Sequence, residues 1–336
     1  MIESSRYAPG WPGIAPRWTS SAKTALGTSL RPSSRVWFTV SHGILNEVYY
    51  PRVDQACLRD LGFIVTDGNA FFSEEKREAG TVMTWIEPGV PAFRVTNSCR
   101  SGRYRIEKEI VTDPRRDVVL QEARFVPLVG PTTDYHVYVL LAPHLANHGS
   151  GNTAFVDDYK GVPMLFAERN GTALAVACKP GWLRRSAGFV GVSDGWQDLT
   201  RNRQLAWTYD RAENGNVALV GEVDLASTDG TFVLALAFGG SVAEAGHRAR
   251  ASLFDGFARS RDAYADEWRT WQRSIADLPA SGSACDRVRT SAAVLRCHEE
   301  KRLPGAIIAS LSIPWGADKG DADLGGYHLG LAARPG

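Results

Sequence analysis

The chain has 336 residues, of which 44% are hydrophobic and 22% are charged, values typical of a soluble globular protein with one large domain or two. Its 38 basic and 37 acidic residues give a net charge of +1, which excludes the electrostatic footprint of a protein that binds nucleic acid or an anionic membrane. Five scattered cysteines without CxxC spacing argue against a disulfide framework or a zinc site, and we expect no metal and no cofactor.

Residues 1–240 have the pattern of β structure. One segment alternates the apolar residues Tyr104, Ile106 and Ile110 with the charged residues Arg105, Glu107 and Glu109. This period-2 pattern is typical of a strand with one solvent-exposed face. Short β-branched or aromatic runs bounded by Gly, Pro, Asn and Asp predict further strands at 84–95, 118–126, 135–141, 173–177, 217–225 and 231–238. Many antiparallel strands over this length predict a large sandwich rather than a parallel α/β sheet.

The pattern changes at Ser241. Ser241 followed by Glu244 is a capping-box signature, and the residues after it are rich in Ala, Arg and Glu. One apolar helical stripe contains Tyr264, Trp268, Trp271 and Ile275, so this helix needs a large surface to pack on. Gly256 is expected to kink or split it. After a break at 278–284, a second helix is predicted over 286–300.

Two sequence stretches resemble bacterial glucoamylases and glucodextranases. The N-terminal one comprises Ala8-Pro-Gly-Trp-Pro-Gly, the run from Ser34 to Asp54 that contains His-Gly-Ile-Leu-Asn-Glu-Val-Tyr-Tyr-Pro, and Phe71-Phe-Ser-Glu-Glu-Lys. The C-terminal one runs from His298 through Ile-Pro-Trp-Gly-Ala-Asp-Lys-Gly-Asp to Tyr327-His-Leu. The resemblance implies an antiparallel β-supersandwich (1–240), a linker helix region (241–284) and the truncated start of an (α/α)6 catalytic barrel (285–336).

The resemblance also implies a reaction, exo-hydrolysis of α-glucosidic bonds from non-reducing ends with inversion. Inversion needs an acid and a base carboxyl group about 6.5–9.5 Å apart. In the family both are barrel glutamates, which fall beyond Gly336, so we expect no catalytic residue in this chain and no activity. Glu299 and Glu300 are adjacent on the predicted helix, point apart, and are interpreted as a solvated pair.

A few residues are candidates for substrate binding. Tyr327 matches a family tyrosine that contacts the non-reducing sugar. Glu47, Tyr49 and Tyr50 could line the substrate cleft, although a strand and turn that pack the sandwich onto the barrel explain them as well. The spacing of Asp157, Asp158, Asp194 and Asp198 is not that of a calcium loop, and we interpret them as solvated loop residues.

The last seven residues depart from the family pattern. The family continues Val-Trp-Pro-Arg-Asp-Leu-Val-Glu, whereas this chain reads Gly-Leu-Ala-Ala-Arg-Pro-Gly. Leu331, Ala333 and Arg334 therefore occupy the positions of the family's sugar-binding Trp, Arg and Asp. Inserting one guanine at codon 330 into one possible set of codons for the family sequence yields these seven residues followed by a stop codon. We therefore expect a frameshifted fragment of a longer enzyme.

Two other hypotheses remain open, a carbohydrate-binding or scaffold β-sandwich, and a fragment of a maltose-type phosphorylase of the same architecture. The expected ligand of the parent enzyme is an α-glucan oligosaccharide. No signal peptide or membrane span is evident, which favours a cytoplasmic protein. The absent barrel is expected to leave the stripe around Trp268 uncovered and to promote self-association.

Overall fold

The computed structural model describes residues 7–226, 228–275, 283–312, 319–323 and 331–332. The first nine strands are β1 (Ala25–Thr28), β2 (Trp37–Ser41), β3 (Ile44–Tyr49), β4 (Ala56–Thr66), β5 (Phe72–Glu74), β6 (Ala79–Glu87), β7 (Val90–Cys99), β8 (Tyr104–Thr112) and β9 (Val118–Pro127). They are followed by β10 (His136–Pro143), β11 (Asn152–Tyr159), β12 (Val162–Arg169), β13 (Thr172–Lys179), β14 (Trp182–Phe189), β15 (Arg211–Gly215), β16 (Val217–Val223), β17 (Thr231–Gly239), β18 (Ala306–Ile307) and β19 (Leu331–Ala332). The helices are α1 (Glu75–Glu78), α2 (Gly195–Asn202), α3 (Val242–Asp255), α4 (Phe257–Ser274) and α5 (Ser283–Cys297).

The strands form two large antiparallel sheets. One has eight strands in the order β1-β2-β3-β4-β10-β16-β14, with β5 also paired to β4. The other has nine strands in the order β15-β11-β12-β13-β17-β9-β8-β7-β6. The remaining pair, β18 and β19, forms a separate two-stranded ladder. The predicted β-sandwich fold class is confirmed, whereas the division at 240 and 284 stays a prediction.

The core lies between the two large sheets, where apolar side chains from both interdigitate. Phe63 on β4 meets Phe232 on β17 with ring centroids 5.4 Å apart, and both are buried. The alternation predicted for β8 is present, since Tyr104, Ile106 and Ile110 are fully buried. That buried face also carries a charge, because the Lys108 ammonium lies 2.5 Å from the Glu75 carboxylate and 5.2 Å from the Phe63 ring centroid.

Helix α3 begins where the cap predicts. The Ser241 hydroxyl accepts the Glu244 N–H at 3.2 Å, and the Glu244 carboxylate accepts the Gly240 N–H at 2.6 Å. The predicted break at Gly256 is confirmed, since this glycine has φ +89°, a conformation that side-chain-bearing residues rarely adopt. Helix α5 starts at Ser283, earlier than predicted. It also ends earlier, because the chain after Cys297 turns back and pairs Glu299 with Ile307.

The apolar stripe of α4 packs on the outer face of the nine-stranded sheet. Tyr264 and Trp268 are fully buried there; the Tyr264 hydroxyl donates to the Pro91 carbonyl and the Trp268 indole N–H to the Thr28 carbonyl, each at 2.9 Å. The expectation of a stripe left uncovered by the absent barrel is therefore wrong for these residues, because the sandwich itself supplies the partner surface. Self-association stays a prediction. Among the described residues no helix combines the length and apolar character needed to cross a bilayer.

Candidate functional site

Strand β3 places Glu47 and Tyr49 on the outer face of the eight-stranded sheet. Both are buried, and the Tyr49 hydroxyl donates to the Glu47 carboxylate at 3.4 Å. The N-terminal segment covers them, with the Lys23 ammonium 2.6 Å from the same carboxylate. The structure thus brings Glu47 and Tyr49 together in a closed, ion-paired site.

Burial controls the electrostatics of this site. It lowers the pKa of Lys23, an effect that the charge and hydrogen bond of Glu47 oppose. It also raises the pKa of Tyr49 well above its ordinary value, and the Glu47 charge adds to that shift. Since a buried charge is tolerated when it is paired, the contact with Glu47 favours the charged form of Lys23. The arrangement stabilises the sheet and offers no water-accessible proton donor.

Tyr50 lies on the opposite side of the same sheet. It is buried between the sheets, where its ring stacks on Phe238 with centroids 5.4 Å apart. The Arg35 guanidinium lies 5.6 Å from the Tyr50 ring centroid. The structure therefore separates Tyr50 from Glu47 and Tyr49, although the three are neighbours in sequence.

The C-terminal residues 298–311 pack on the outer face of the eight-stranded sheet. Ile308 and Leu311 join a buried cluster with Trp18, Trp37, Tyr49, Val53 and Ala56, which we call the docking face. The Glu300 carboxylate accepts the N–H of Val53 at 3.0 Å, and the Lys301 ammonium donates to the Thr28 hydroxyl at 2.6 Å and to the Ser34 carbonyl.

The two glutamates of this segment make only structural contacts. Glu300 also accepts the N–H of Arg302 at 3.1 Å, and Glu299 accepts that of Gly305 at 2.9 Å. The interpretation of a solvated pair is wrong for Glu300, which is only 9% exposed. Its carboxylate is buried because it supplies an acceptor to the backbone of the docking face.

Residues 319–323 continue along the same face. The backbone N–H of Trp18 donates to the Lys319 carbonyl at 3.0 Å, and the Asp321 carboxylate accepts the backbone N–H groups of Gly149 and Ser150, both at 2.9 Å. Tyr327 lies outside the described residues, as do Ala333 and Arg334. Sequence reasoning missed the sandwich partners of this segment because most of them contribute backbone atoms, which carry no residue signature.

Beside the docking face, a cleft of about 460 Å³ opens on the same sheet surface. One wall is the N-terminal segment from Ile14 to Thr19, and the other is the start of α2 with Trp196 and Gln197. Its charged lining residues are Arg17, Arg59, Asp60, Glu74, Lys76, Arg77 and Asp194. Sequence reasoning did not find this cleft, because its walls come from segments far apart in the chain.

The four aspartates weighed as a calcium site have separate roles. Asp194 caps α2 by accepting the N–H groups of Trp196 and Gln197, and Asp198 accepts the N–H of Trp207 at 2.6 Å. Both are buried, so their interpretation as solvated loop residues is wrong. On β11, Asp157 accepts the N–H of Asp158 at 2.8 Å, and Asp158 pairs with Arg185 of β14 at 2.9 Å. Among the described residues no group of three or more His, Cys, Asp or Glu side chains could hold a metal ion.

Comparisons with known proteins agree on one family. Residues 8–273 match the family model described as glucodextranase, domain N. A glucoamylase from Clostridium sp. (strain G0005) is 36% identical over 318 residues, which are 95% of this chain and 45% of that protein. The crystal structure of a bacterial glucoamylase complexed with acarbose superimposes with a TM-score of 0.92 at 35% identity, covering 96% of this chain and 48% of that one.

A more distant structure shares only the fold. The family GH92 glycosyl hydrolase ccman5 matches with a TM-score of 0.51 at 9% identity, over 87% of this chain and 40% of its own. The chain spans about half the length of the glucoamylases it matches. Since the family model covers residues 8–273, most of the sequence, the chain belongs to the glucodextranase N-domain family.

Proposed function

We propose that the chain serves as the N-terminal part of an inverting, exo-acting α-glucan hydrolase of the glucoamylase type, which releases glucose from the non-reducing ends of α-1,4- and α-1,6-glucans. The similarity to glucoamylases over nearly the whole chain supports this proposal. Because the chain spans about half of those relatives, the activity belongs to the longer enzyme.

The observation that carries the proposal is the docking of residues 298–312 and 319–323 on the sandwich. Glu300, Lys301 and Asp321 each bind the sandwich through hydrogen bonds from 2.6 to 3.0 Å. A segment held in this way starts the catalytic barrel from a fixed position. The role proposed for the sandwich is to hold that first segment, and with it the side of the glucose pocket to which Tyr327 would belong.

The buried carboxylates of the sandwich are poorly suited to the chemistry itself. Inversion requires a protonated acid and a water-activating base with room for substrate between them. The two most buried glutamates, Glu47 and Glu75, are each paired with a lysine, Lys23 and Lys108. Each carboxylate is buried and occupied by an ammonium group, so neither has room beside it for a glycosidic oxygen and an attacking water molecule. The proposal therefore assigns both catalytic glutamates to the barrel.

The test compares two proteins from the same gene. One is the 336-residue chain, and the other is the product after deletion of one guanine at codon 330, which restores Val-Trp-Pro-Arg-Asp. We expect no glucose release from maltotriose by the first, and release of β-glucose, identified by NMR before mutarotation, by the second. A matched control changes the same codon silently.

Three outcomes would contradict the proposal. Glucose release by the 336-residue chain would mean that its acid and base lie within these 336 residues. Release of glucose 1-phosphate that depends on added phosphate would favour the phosphorylase alternative. A restored frame that encodes no helical barrel would favour a binding or scaffold module.

A further inference from the structure

The cleft beside the docking face has the dimensions of a ligand site. Its volume of about 460 Å³ lies within the roughly 300–1,000 Å³ usual for small-molecule pockets. The floor is formed by β4, β10 and β16, where the small residues Gly62, Ala142 and Ala218 leave space above the sheet. A flat, mostly apolar floor of this kind suits the carbon face of a ring.

One side of the cleft carries an ordered ion cluster. The Asp60 carboxylate lies 3.2 Å from the Arg59 guanidinium and 3.1 Å from the Lys76 ammonium. Burial alone would raise the pKa of Asp60, but Arg59 and Lys76 together lower it to about 2. The cluster therefore presents a permanent acceptor next to N–H donors that a ligand can share.

The start of α2 brings to the cleft an indole held in a fixed orientation. The Trp196 N–H donates to the Glu74 carboxylate at 3.0 Å, and the Phe72 ring meets the indole edge-on. The Arg77 guanidinium lies 5.6 Å from the indole centroid, and its side chain is 66% exposed. Since an exposed arginine can move aside at little cost, the indole face is available to a ligand.

A donor without a partner borders the cleft. Trp18 is only 1% exposed, and its indole N–H has no hydrogen-bond partner among the described residues. A buried donor left in this state destabilises the folded chain, and a hydrogen bond to a ligand hydroxyl or a water molecule would remove that cost. This N–H is a second, independent feature that favours a polar ligand.

The charges of the cleft select the class of ligand. Four cations (Arg17, Arg59, Lys76 and Arg77) share the lining with three carboxylates (Asp60, Glu74 and Asp194). An anion would meet the carboxylates, and a cation would meet the guanidinium groups. A neutral ligand with hydroxyl groups can donate hydrogen bonds to the carboxylates and accept them from the cationic side chains. The aromatic rings can contact the apolar faces of sugars.

We propose that this cleft is a second, non-catalytic binding site for a short α-glucan oligosaccharide. The identity of the sugar rests on the proposed function, whereas the neutral polyol class rests on the lining itself. The site lies on the sandwich, beside the docking face, and would hold a glucan chain on the enzyme while its end is hydrolysed elsewhere.

The test uses the 336-residue chain labelled with ¹⁵N at the tryptophan indoles and titrated with maltopentaose. We expect the Trp18 and Trp196 indole N–H signals to shift together with one saturable dissociation constant. Trp196→Phe combined with Arg77→Ala should weaken binding at least tenfold. The matched control is Trp207→Phe with Arg201→Ala, since that guanidinium also lies over an indole, at 5.4 Å, outside the cleft lining. It should leave binding unchanged.

Several results would overturn the inference. These are no shift of either signal, equal weakening by the cleft variant and its control, or saturation by inorganic phosphate at lower concentration than by maltopentaose. Thermal unfolding of each variant separates lost binding from lost folding. Glucose release by the frame-restored enzyme is measured separately. An active enzyme whose cleft does not bind maltopentaose would refute this inference and leave the proposed function standing.

Discussion

The two outer faces of the sandwich are covered in different ways. On the nine-stranded sheet, the alanines Ala173, Ala175, Ala177, Ala235 and Ala237 alternate along β13 and β17 and belong to the same buried cluster as α3 and α4. On the eight-stranded sheet the cover comes in pieces, namely α2, the N-terminal segment and residues 298–311. Between these pieces lie the cleft and the Lys23–Glu47 pair.

This difference indicates that the nine-stranded face contributes mainly to stability and the eight-stranded face mainly to specific contacts. Small side chains let a helix approach a sheet closely, so the helical cover buries apolar area continuously and contributes chiefly to stability. The interrupted cover leaves polar groups that require specific partners, such as the Lys23–Glu47 pair. The eight-stranded face is accordingly where the docked C-terminal segment and the proposed sugar site lie.

The largest effect is expected from Trp268→Ala on the helical cover. The side chain is fully buried and donates to the Thr28 carbonyl, so its removal leaves a cavity and an unpaired acceptor. Replacing a buried tryptophan by alanine typically costs about 3–5 kcal/mol of the free energy of unfolding. Urea unfolding followed by circular dichroism measures the loss.

The control for this change is Phe254→Ala on α3, where the aromatic side chain is 90% exposed. We expect a change within about 0.5 kcal/mol, as is usual for surface substitutions. Equal losses for the two variants would mean that the helices contribute little packing to the nine-stranded face.

A smaller effect is expected from Glu47→Gln on the eight-stranded face. The change leaves the Lys23 ammonium, 11% exposed, beside an uncharged amide. Breaking a fully buried ion pair costs about 3–5 kcal/mol, and the partial access of water to Lys23 reduces our expectation to about 2 kcal/mol. Asp266→Asn, in a surface pair with Arg269, is the matched control and should cost less than about 1 kcal/mol. An unchanged unfolding midpoint for Glu47→Gln would indicate that Lys23 finds another partner.

The smallest effect is the change in stability over a single pH unit that Lys301 causes; its ammonium lies 4.7 Å from the Trp37 ring centroid. Burial lowers the pKa of Lys301 from 10.5 to about 7, although nearby acidic groups such as Glu267 oppose the shift. Between about pH 7 and the unfolded pKa the unfolded chain binds more protons than the folded one, so this lysine makes stability rise with pH, by at most about 1.4 kcal/mol per unit.

The measurement is the urea midpoint of the wild-type chain and of Lys301→Met at several pH values across this window. The wild-type chain should gain stability relative to the variant as pH rises. Parallel curves would show that Lys301 keeps its ordinary pKa, and hence that the docked segment leaves it in contact with water.

Local patterns predicted the parts of the fold that depend on neighbouring residues. The hydroxyl of Ser241 and the missing side chain of Gly256 act on their own backbone, so the start and end of α3 could be predicted from sequence. The partner of Trp268 could not, because periodicity identifies an apolar stripe and not the surface that covers it. Lys108 was missed for a related reason, since its partner Glu75 lies on another element.

The candidate site was less predictable than the fold. The identities of Glu47, Tyr49 and Tyr50 suggested a shared role. In the structure, however, Tyr50 lies in the core between the sheets, and the other two lie on the outer face of the eight-stranded sheet. The docking contacts of Glu300 and Asp321 end on backbone N–H groups, which any sequence supplies. The cleft depends on the distance between α2 and the N-terminal segment, which only the assembled sheets determine.

The order of strands in the nine-stranded sheet has a consequence for how the chain emerges from a ribosome. Strand β17 lies between β9 and β13, so these two earlier strands stay unpaired along one edge until residue 239 has been made. Exposed strand edges invite pairing with other chains. From residue 179, where β13 ends, until residue 239 the nascent chain must therefore carry two separate half-sheets with open edges, which β17 then joins into one.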